Sequence, residues 1–456
     1  MTAAGPVPPM GEHVLLLFLV QVGLLLLVAV ALGRLAVRLS LPPIVGELLT
    51  GVLLGPSVLG NTLPGLSESL FPPTAEQMHL LDAFGQIGVL LLVGVTGMQM
   101  DTGLIRRRAS VAARISLPGF VFPLGLGVAA GCLLPASLLV DPDERMVFAA
   151  FLGVALCVTA LPVIAKTLMD LGLLHRNVGQ LVLMSGTVDD ILGWVGLSVV
   201  TAMATTGLRL GNLVWLVGSL LLFLVGVAVL GRPLVCRSLR FTVRSAEPGV
   251  TLAAVVVTML AFSATTHALG FEAVFGALVA GMLIRGAGTD VLARLAPLRT
   301  FVVAVLAPMF FAAAGLRMDL TALADPTVAA VGLALLLVAV VGKFAGAFVG
   351  AWTCGLSRWE AVALGAGMNA RGVVQVIVAM VGLRTGVLNT EMYTVILLIA
   401  VATSLMAAPI LRTAAERIEV TSEETLRGSE FESVLRHGDL RAAEQTSSRP
   451  QEGISS

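Results

Sequence analysis

Two adjacent carboxylates, Asp189 and Asp190, stand inside an otherwise apolar run from Val178 to Met203. A charge at the centre of a membrane helix costs about 2.5–3.5 kcal/mol even on the lenient insertion scale, so the pair costs roughly 5–7 kcal/mol. The eleven Val, Leu and Ile residues of the run return only about 0.3–0.6 kcal/mol each. Such a helix about breaks even against lipid and has to be sheltered by other helices. Acids in that setting mark ion or proton pathways. At about 100° per residue, Gly179, Gly186 and Gly193 form one stripe, and the two acids flank it. They therefore border the face that another helix can approach closely.

Other residues offer partners. Cys157 to Ala165 holds Thr159 and Pro162. Proline removes a backbone donor and crowds the preceding turn. A break there frees carbonyls and the Thr159 hydroxyl as oxygen ligands for a hard monovalent cation. Only two of the 28 basic residues are lysines, Lys166 and Lys343. Lys343 has more than ten apolar residues on either side, too deep to snorkel, so its expected partner is one of the Asp pair. Gly365 to Gln375 includes Gly367, Asn369, Arg371 and Gly372, which predicts a second interrupted helix. Arg371 suits half-helix C-terminal ends or acidic groups. Glu47, after Pro42, Pro43 and Gly46, is expected near an interface with a gating or structural role. His13, His79, His175, His267 and His437 fall at span ends, loops or the tail and read as surface residues. Cys132, Cys157, Cys236 and Cys354 show no metal-ligand spacing.

The elements that must position these groups follow from the composition. The 456 residues are 57% hydrophobic and 12% charged, against about 25% charged in soluble domains. Apolar runs of nearly 20 residues recur, which predicts an all-α polytopic membrane protein in the lipid bilayer. Net charge is zero, so no nucleic-acid partner is expected. About thirteen transmembrane spans are predicted, near 14–32, 44–59, 80–97, 111–134, 146–168, 178–203, 213–231, 250–269, 273–285, 301–315, 328–354, 361–381 and 392–411. Met1 to Glu12 lacks the basic region of a signal peptide. Connections after odd-numbered spans hold 16 basic residues, among them Arg106, Arg107 and Arg108. Those after even-numbered spans hold four: Arg145, Arg209, Arg317 and Arg384. The bias places the N-terminus outside and the C-terminus in the cytoplasm of an inner-membrane protein.

Gly46 to Leu54 is similar to Gly276 to Ile284, and Gly97 to Asp101 is similar to Gly315 to Asp319. The matches keep their order, at offsets of 230 and 218. Repeat one (about 14–203) and repeat two (about 250–411) then flank a linking helix (213–231). An odd link between even halves inverts them, a signature of secondary transporters with a midplane site. Residues 1–411 form the membrane domain. Residues 412–456 form a polar cytoplasmic tail without a Gly-rich phosphate-binding fingerprint.

From about residue 14 to 411 the chain resembles the second branch of the monovalent cation:proton antiporter superfamily, the sodium/hydrogen exchanger type. The matching pieces are Leu41 to Pro56, Thr159 to Pro162, Val188-Asp189-Asp190, Phe310 to Asp319, Gly342-Lys343 and Asn369 to Gly372. The resemblance implies a homodimer with a scaffold domain and a mobile core domain. It also implies two interrupted helices, the fifth and twelfth spans, crossing beside the acids. Carried over by position, Asp190 binds Na+ or K+ and H+ alternately, and Asp189 is its partner, paired with Lys343 in one state. Thr159 sits at the first break. Pro162, Asn369 and Arg371 support the breaks. The family often has Glu after the Arg-Gly of the second break; Val373 stands there instead. Many relatives carry a nucleotide-binding domain, which residues 412–456 do not resemble.

The expected function is antiport of a monovalent cation against H+, with no cofactor and no enzymatic reaction. An alternative on the same fold is a proton- or sodium-coupled transporter of a small organic solute. An intramembrane aspartyl protease is disfavoured, because its two acids face each other from different helices.

Overall fold

The computed structural model describes residues 11–39, 41–72, 74–100, 109–173, 176–206, 210–245, 247–421 and 424. Asp101, Arg106, Arg107, Arg108, His175, Arg209, His437 and the tail beyond 424 lie outside the described residues. Among the described residues the regular structure is helical throughout. The principal helices are α1 (Glu12–Arg38), α2 (Pro43–Leu54), α3 (Ala75–Gln99), α4 (Ala109–Leu133) and α5 (Arg145–Cys157). Then come α6 (Leu161–Asp170), α7 (Asn177–Thr206), α8 (Leu210–Gly226), α9 (Pro248–Ala268) and α10 (Ala273–Arg285). The chain ends with α11 (Ala307–Gly315), α12 (Pro326–Thr353), α13 (Arg358–Met368), α14 (Val373–Arg384) and α15 (Thr390–Ala415).

Among the described residues, ten helices are long and apolar enough to cross a membrane. The bent pair α13 and α14, 46° apart, makes an eleventh. The expected thirteen spans also include α5 with α6 and the short α10. At 13 residues each, α5 and α10 fall short of the roughly 20 needed to span alone. Large apolar side chains such as Leu222, Leu230 and Leu333 are mostly exposed, as expected for surfaces facing hydrocarbon rather than water.

The helices pack into two groups. In the scaffold group, α2 lies against α1 and α11, and α10 lies against α3 and α9. In the site group, α4 packs on α5 and α12, α13 packs on α12 and α15, and α7 lies against α4, α5 and α13. Glycine allows the close crossings. A methyl at Gly346 of α12 would lie 2.4 Å from the Pro118 carbonyl oxygen of α4, so α12 can bring Lys343 inward beside α4. Polar caps start the later helices. Asp325 accepts from Thr327 N–H, Asn389 accepts from Met392 N–H, and Ser357 with Glu360 forms a reciprocal capping box.

Candidate functional site: a buried acid pair between two broken helices

Both interruptions occur where the sequence puts its helix breakers. Helix α5 ends at Cys157 and α6 begins at Leu161, with Pro162 in its first turn, where a missing N–H costs nothing. Helix α13 ends at Met368 and α14 begins at Val373. The two breaks meet, and the Ala160 N–H donates to the Ala370 carbonyl at 3.0 Å. Two broken helices thus satisfy part of each other's freed backbone, as irregular chain inside a membrane bundle requires.

Helix α7 brings its acids to this crossing. The predicted glycine stripe is the contact surface: a methyl at Gly193 would lie 2.8 Å from Val158 Cγ1, and one at Gly186 would lie 3.1 Å from Ile164 Cδ1. Asp189 and Asp190 are both 0% exposed. Asp189 Oδ2 accepts from Lys343 Nζ at 2.6 Å and from the Thr159 hydroxyl at 3.0 Å. The same hydroxyl lies 3.0 Å from the Met368 carbonyl, so Thr159 touches both the acid pair and the end of α13. The Lys343 and Asp189 side chains are fully buried, which makes them a desolvated ion pair held by geometry.

Asp190 has different surroundings. Neither of its carboxylate oxygens has a hydrogen-bond partner among the described residues. The Asn369 amide, also 0% exposed, has neither its oxygen nor its nitrogen engaged among the described residues. A buried, unpartnered carboxylate is costly unless a proton or a cation neutralises it.

Arg371 is fully buried at the second break. It donates through Nη1 to the Ala155 carbonyl at 3.1 Å and through Nη2 to the Leu156 carbonyl. Of the two roles its sequence position allowed, it takes the half-helix end: a cation placed at the C-terminus of α5. The Ser404 hydroxyl of α15 donates to the Arg371 carbonyl, and Gln375 Nε2 donates to the Ile396 carbonyl at 3.0 Å. Sequence reading did not single out Ser404, and Gln375 entered only as the end of the second broken stretch. Polar side chains such as Ser, Thr and Gln recur in apolar helices, and only their register against a break marks these two. Glu47 lies apart, in α2 beside Gly33 of α1, at 9% exposure. His13, His79 and His267 are exposed.

The transmembrane sodium/hydrogen exchanger family model matches residues 23–416. A Na(+)/H(+) antiporter, NhaS4, from Synechocystis is 31% identical over 404 residues, covering 88% of this chain and 98% of its own. The K(+)/H(+) antiporter 1 of Saccharomyces cerevisiae is 27% identical over 413 residues; the match covers 87% of this chain and 46% of the yeast protein. The structure of the sodium proton antiporter MjNhaP1 from Methanocaldococcus jannaschii at pH 8 shares the fold at a TM-score of 0.61 and 17% identity. That alignment covers 88% of this chain and 97% of that one. With the family model spanning nearly all the helices and a near full-length relative above 30% identity, this chain belongs to the transmembrane sodium/hydrogen exchanger family, a family of transporters rather than enzymes.

Proposed function

We propose that the chain is a secondary antiporter that exchanges Na+ or K+ for H+ at Asp190. The observation that carries this reading is the unequal surroundings of two equally buried acids. Asp189 has Lys343 and Thr159, while among the described residues Asp190 has no partner for either oxygen. A proton and a cation would compete for the same two oxygens, and one excludes the other. Loaded with either, the site is closer to neutral and can be moved between the two faces. Empty, it carries an uncompensated carboxylate in a low-dielectric interior, which is costly to move. Exchange then follows from competition at a single site that alternates between faces. The Asn369 amide oxygen is a candidate ligand, since its side chain is unengaged. Thr159, Pro162 and Arg371 hold the breaks.

On this reading the site group moves against the scaffold group, the chain acts as a homodimer in the inner membrane, and the C-terminus faces the cytoplasm. The alternation of loop arginines supports that orientation. The test is a reconstituted vesicle assay with a lumenal pH dye and pulses of Na+, K+, Li+ and choline. The expected result is a lumenal pH change with at least one alkali cation and none with choline. No response to any alkali cation overturns the reading.

A further inference from the structure

The face on which α14 ends carries a second set of polar contacts, unrelated to ion ligation. Arg384, the last residue of α14, donates through Nη2 to Glu272 Oε1 at 2.7 Å. Glu272 precedes α10 of the scaffold group, and its side chain is 4% exposed, against 48% for Arg384. Close by in sequence, the hydroxyl of Tyr393, the chain's single tyrosine, donates to the Ala314 carbonyl at 2.7 Å. That contact joins α15 to the C-terminal turn of α11. The Asp319 N–H donates to the Thr394 hydroxyl at 3.0 Å. Helix α14 packs on α15, α5 and α7 of the site group, so all three contacts join that group to the scaffold group or to residues 316–325, which follow α11. By the loop-arginine orientation, all three lie toward the outer surface.

We propose that Glu272 and Arg384 form an outer clasp, and that this clasp has to open before the acid pair can be exposed to the outer side. The proposal rests on the antiport reading above and adds positioning residues to it. Helix α14 makes the link mechanical. It has 12 residues, about 18 Å at the helical rise, with the second break at one end and Arg384 at the other. A shift of the site group relative to the scaffold carries both ends together. The clasp suits a reversible contact. Its arginine is half in solvent, so water can take over the guanidinium. Glu272 is the member with most to lose, because a buried carboxylate without its partner must be rehydrated. The pair therefore biases the protein toward the state in which the outer seam is shut.

The chain carries its own reporter. Cys157 is 0% exposed and lies two residues before Thr159, at the first break. With Cys132, Cys236 and Cys354 changed to serine, Cys157 is the remaining thiol. A small membrane-impermeant cationic thiosulfonate, applied from the outer side of oriented vesicles, then reads opening toward that side. Glu272→Gln and Arg384→Gln should each raise the labelling rate of Cys157 severalfold, and should lower the apparent cation affinity on one face more than on the other. The exchanged pair Glu272→Arg with Arg384→Glu should return labelling toward the parent rate. A merely structural contact would lower thermal stability without this side-specific change. Unchanged labelling in both single variants, or labelling that rises equally from both sides, overturns the clasp. Labelling needs no transported ion, so a failure of the antiport reading shows separately in the vesicle pH assay.

Discussion

Asp189 and Asp190 share one turn of α7, yet among the described residues only Asp189 meets a charged partner. On the proposed mechanism that asymmetry divides the labour. Asp190→Asn keeps the shape and removes the group for which proton and cation compete. It should abolish cation-driven pH change in vesicles while expression and thermal stability stay near wild type. Exchange retained at normal apparent affinity would remove Asp190 from the mechanism. Lys343→Ala acts on the other acid. Leaving an ionised Asp189 buried without its partner costs about 3–5 kcal/mol, unless Asp189 takes up a proton. A proton held there changes how many protons move per cation. Transport by this variant should therefore show an altered pH profile or charge stoichiometry, read as a shifted reversal potential. An unchanged profile would exclude Lys343. The acid pair and the lysine were legible because each is expensive in an apolar run, and cost limits the explanations. The second contact of Thr159, to the Met368 carbonyl, was not legible, because no side-chain pattern announces which carbonyl a break presents.

At the scale of helices, the glycine contacts are paired. A methyl at Gly51 of α2 would lie 2.1 Å from the Ala312 carbonyl oxygen, and one at Gly281 of α10 would lie 2.1 Å from the Gly94 carbonyl oxygen. A methyl at Gly97 would lie 2.4 Å from the Leu278 carbonyl oxygen, and one at Gly315 would lie 2.2 Å from that of Leu48. Gly51 and Leu48 map to Gly281 and Leu278 at the offset of 230. Gly94 and Gly97 map to Ala312 and Gly315 at the offset of 218. Both crossings join the first expected repeat to the second, and the two sequence offsets exchange one crossing for the other. The breaks were legible for a similar reason: Pro162 blocks helix from the residues before it, and the glycines between Gly365 and Gly372 weaken one. The Glu272–Arg384 contact was not, because a lone arginine in a short connection has many possible partners. Gly51→Val and Gly281→Val should each destabilise the protein by at least about 1–3 kcal/mol, the ordinary range for overpacking, because the obstacle is backbone. Gly218→Val, where nothing among the described residues lies within 4 Å, should be neutral. Thermal melting in detergent checks this, and equal melting of all three would contradict the crossing.

Across the whole molecule, the segment after α15 closes over the end of the site group where α7 starts. Arg176 donates to the carbonyls of Ala415, Ile418 and Glu419 at 3.3, 2.9 and 3.1 Å. Arg417 stacks over Trp359 at 4.2 Å, in the first turn of α13. Glu424 Oε1 accepts the Asn177 N–H at 2.6 Å, and its Oε2 accepts the Thr421 N–H at 2.8 Å. A carboxylate at the start of α7 meets the first N–H group of that helix and the positive end of the helix dipole. Three helices of the site group, α7, α13 and α15, are thereby tied at this end, which suits a body that moves as a unit. Burial works to raise the Glu424 carboxyl, but the N–H groups of Thr421 and Asn177 and the Arg176 guanidinium outweigh it and hold the carboxyl below its ordinary range. A group lowered in the folded state stabilises above its unfolded value, and that stabilisation is lost as pH falls through the folded value. Glu424→Gln should therefore lower the melting temperature near neutral pH. The gap to wild type should close as pH drops below the ordinary glutamate value of about 4.3. Amide hydrogen exchange over residues 416–421 should quicken in the variant at neutral pH. A melting gap that persists undiminished in acid, or no gap at neutral pH, would mean that Glu424 does not hold the segment through its charge, leaving Arg176 and Trp359 to fasten it alone.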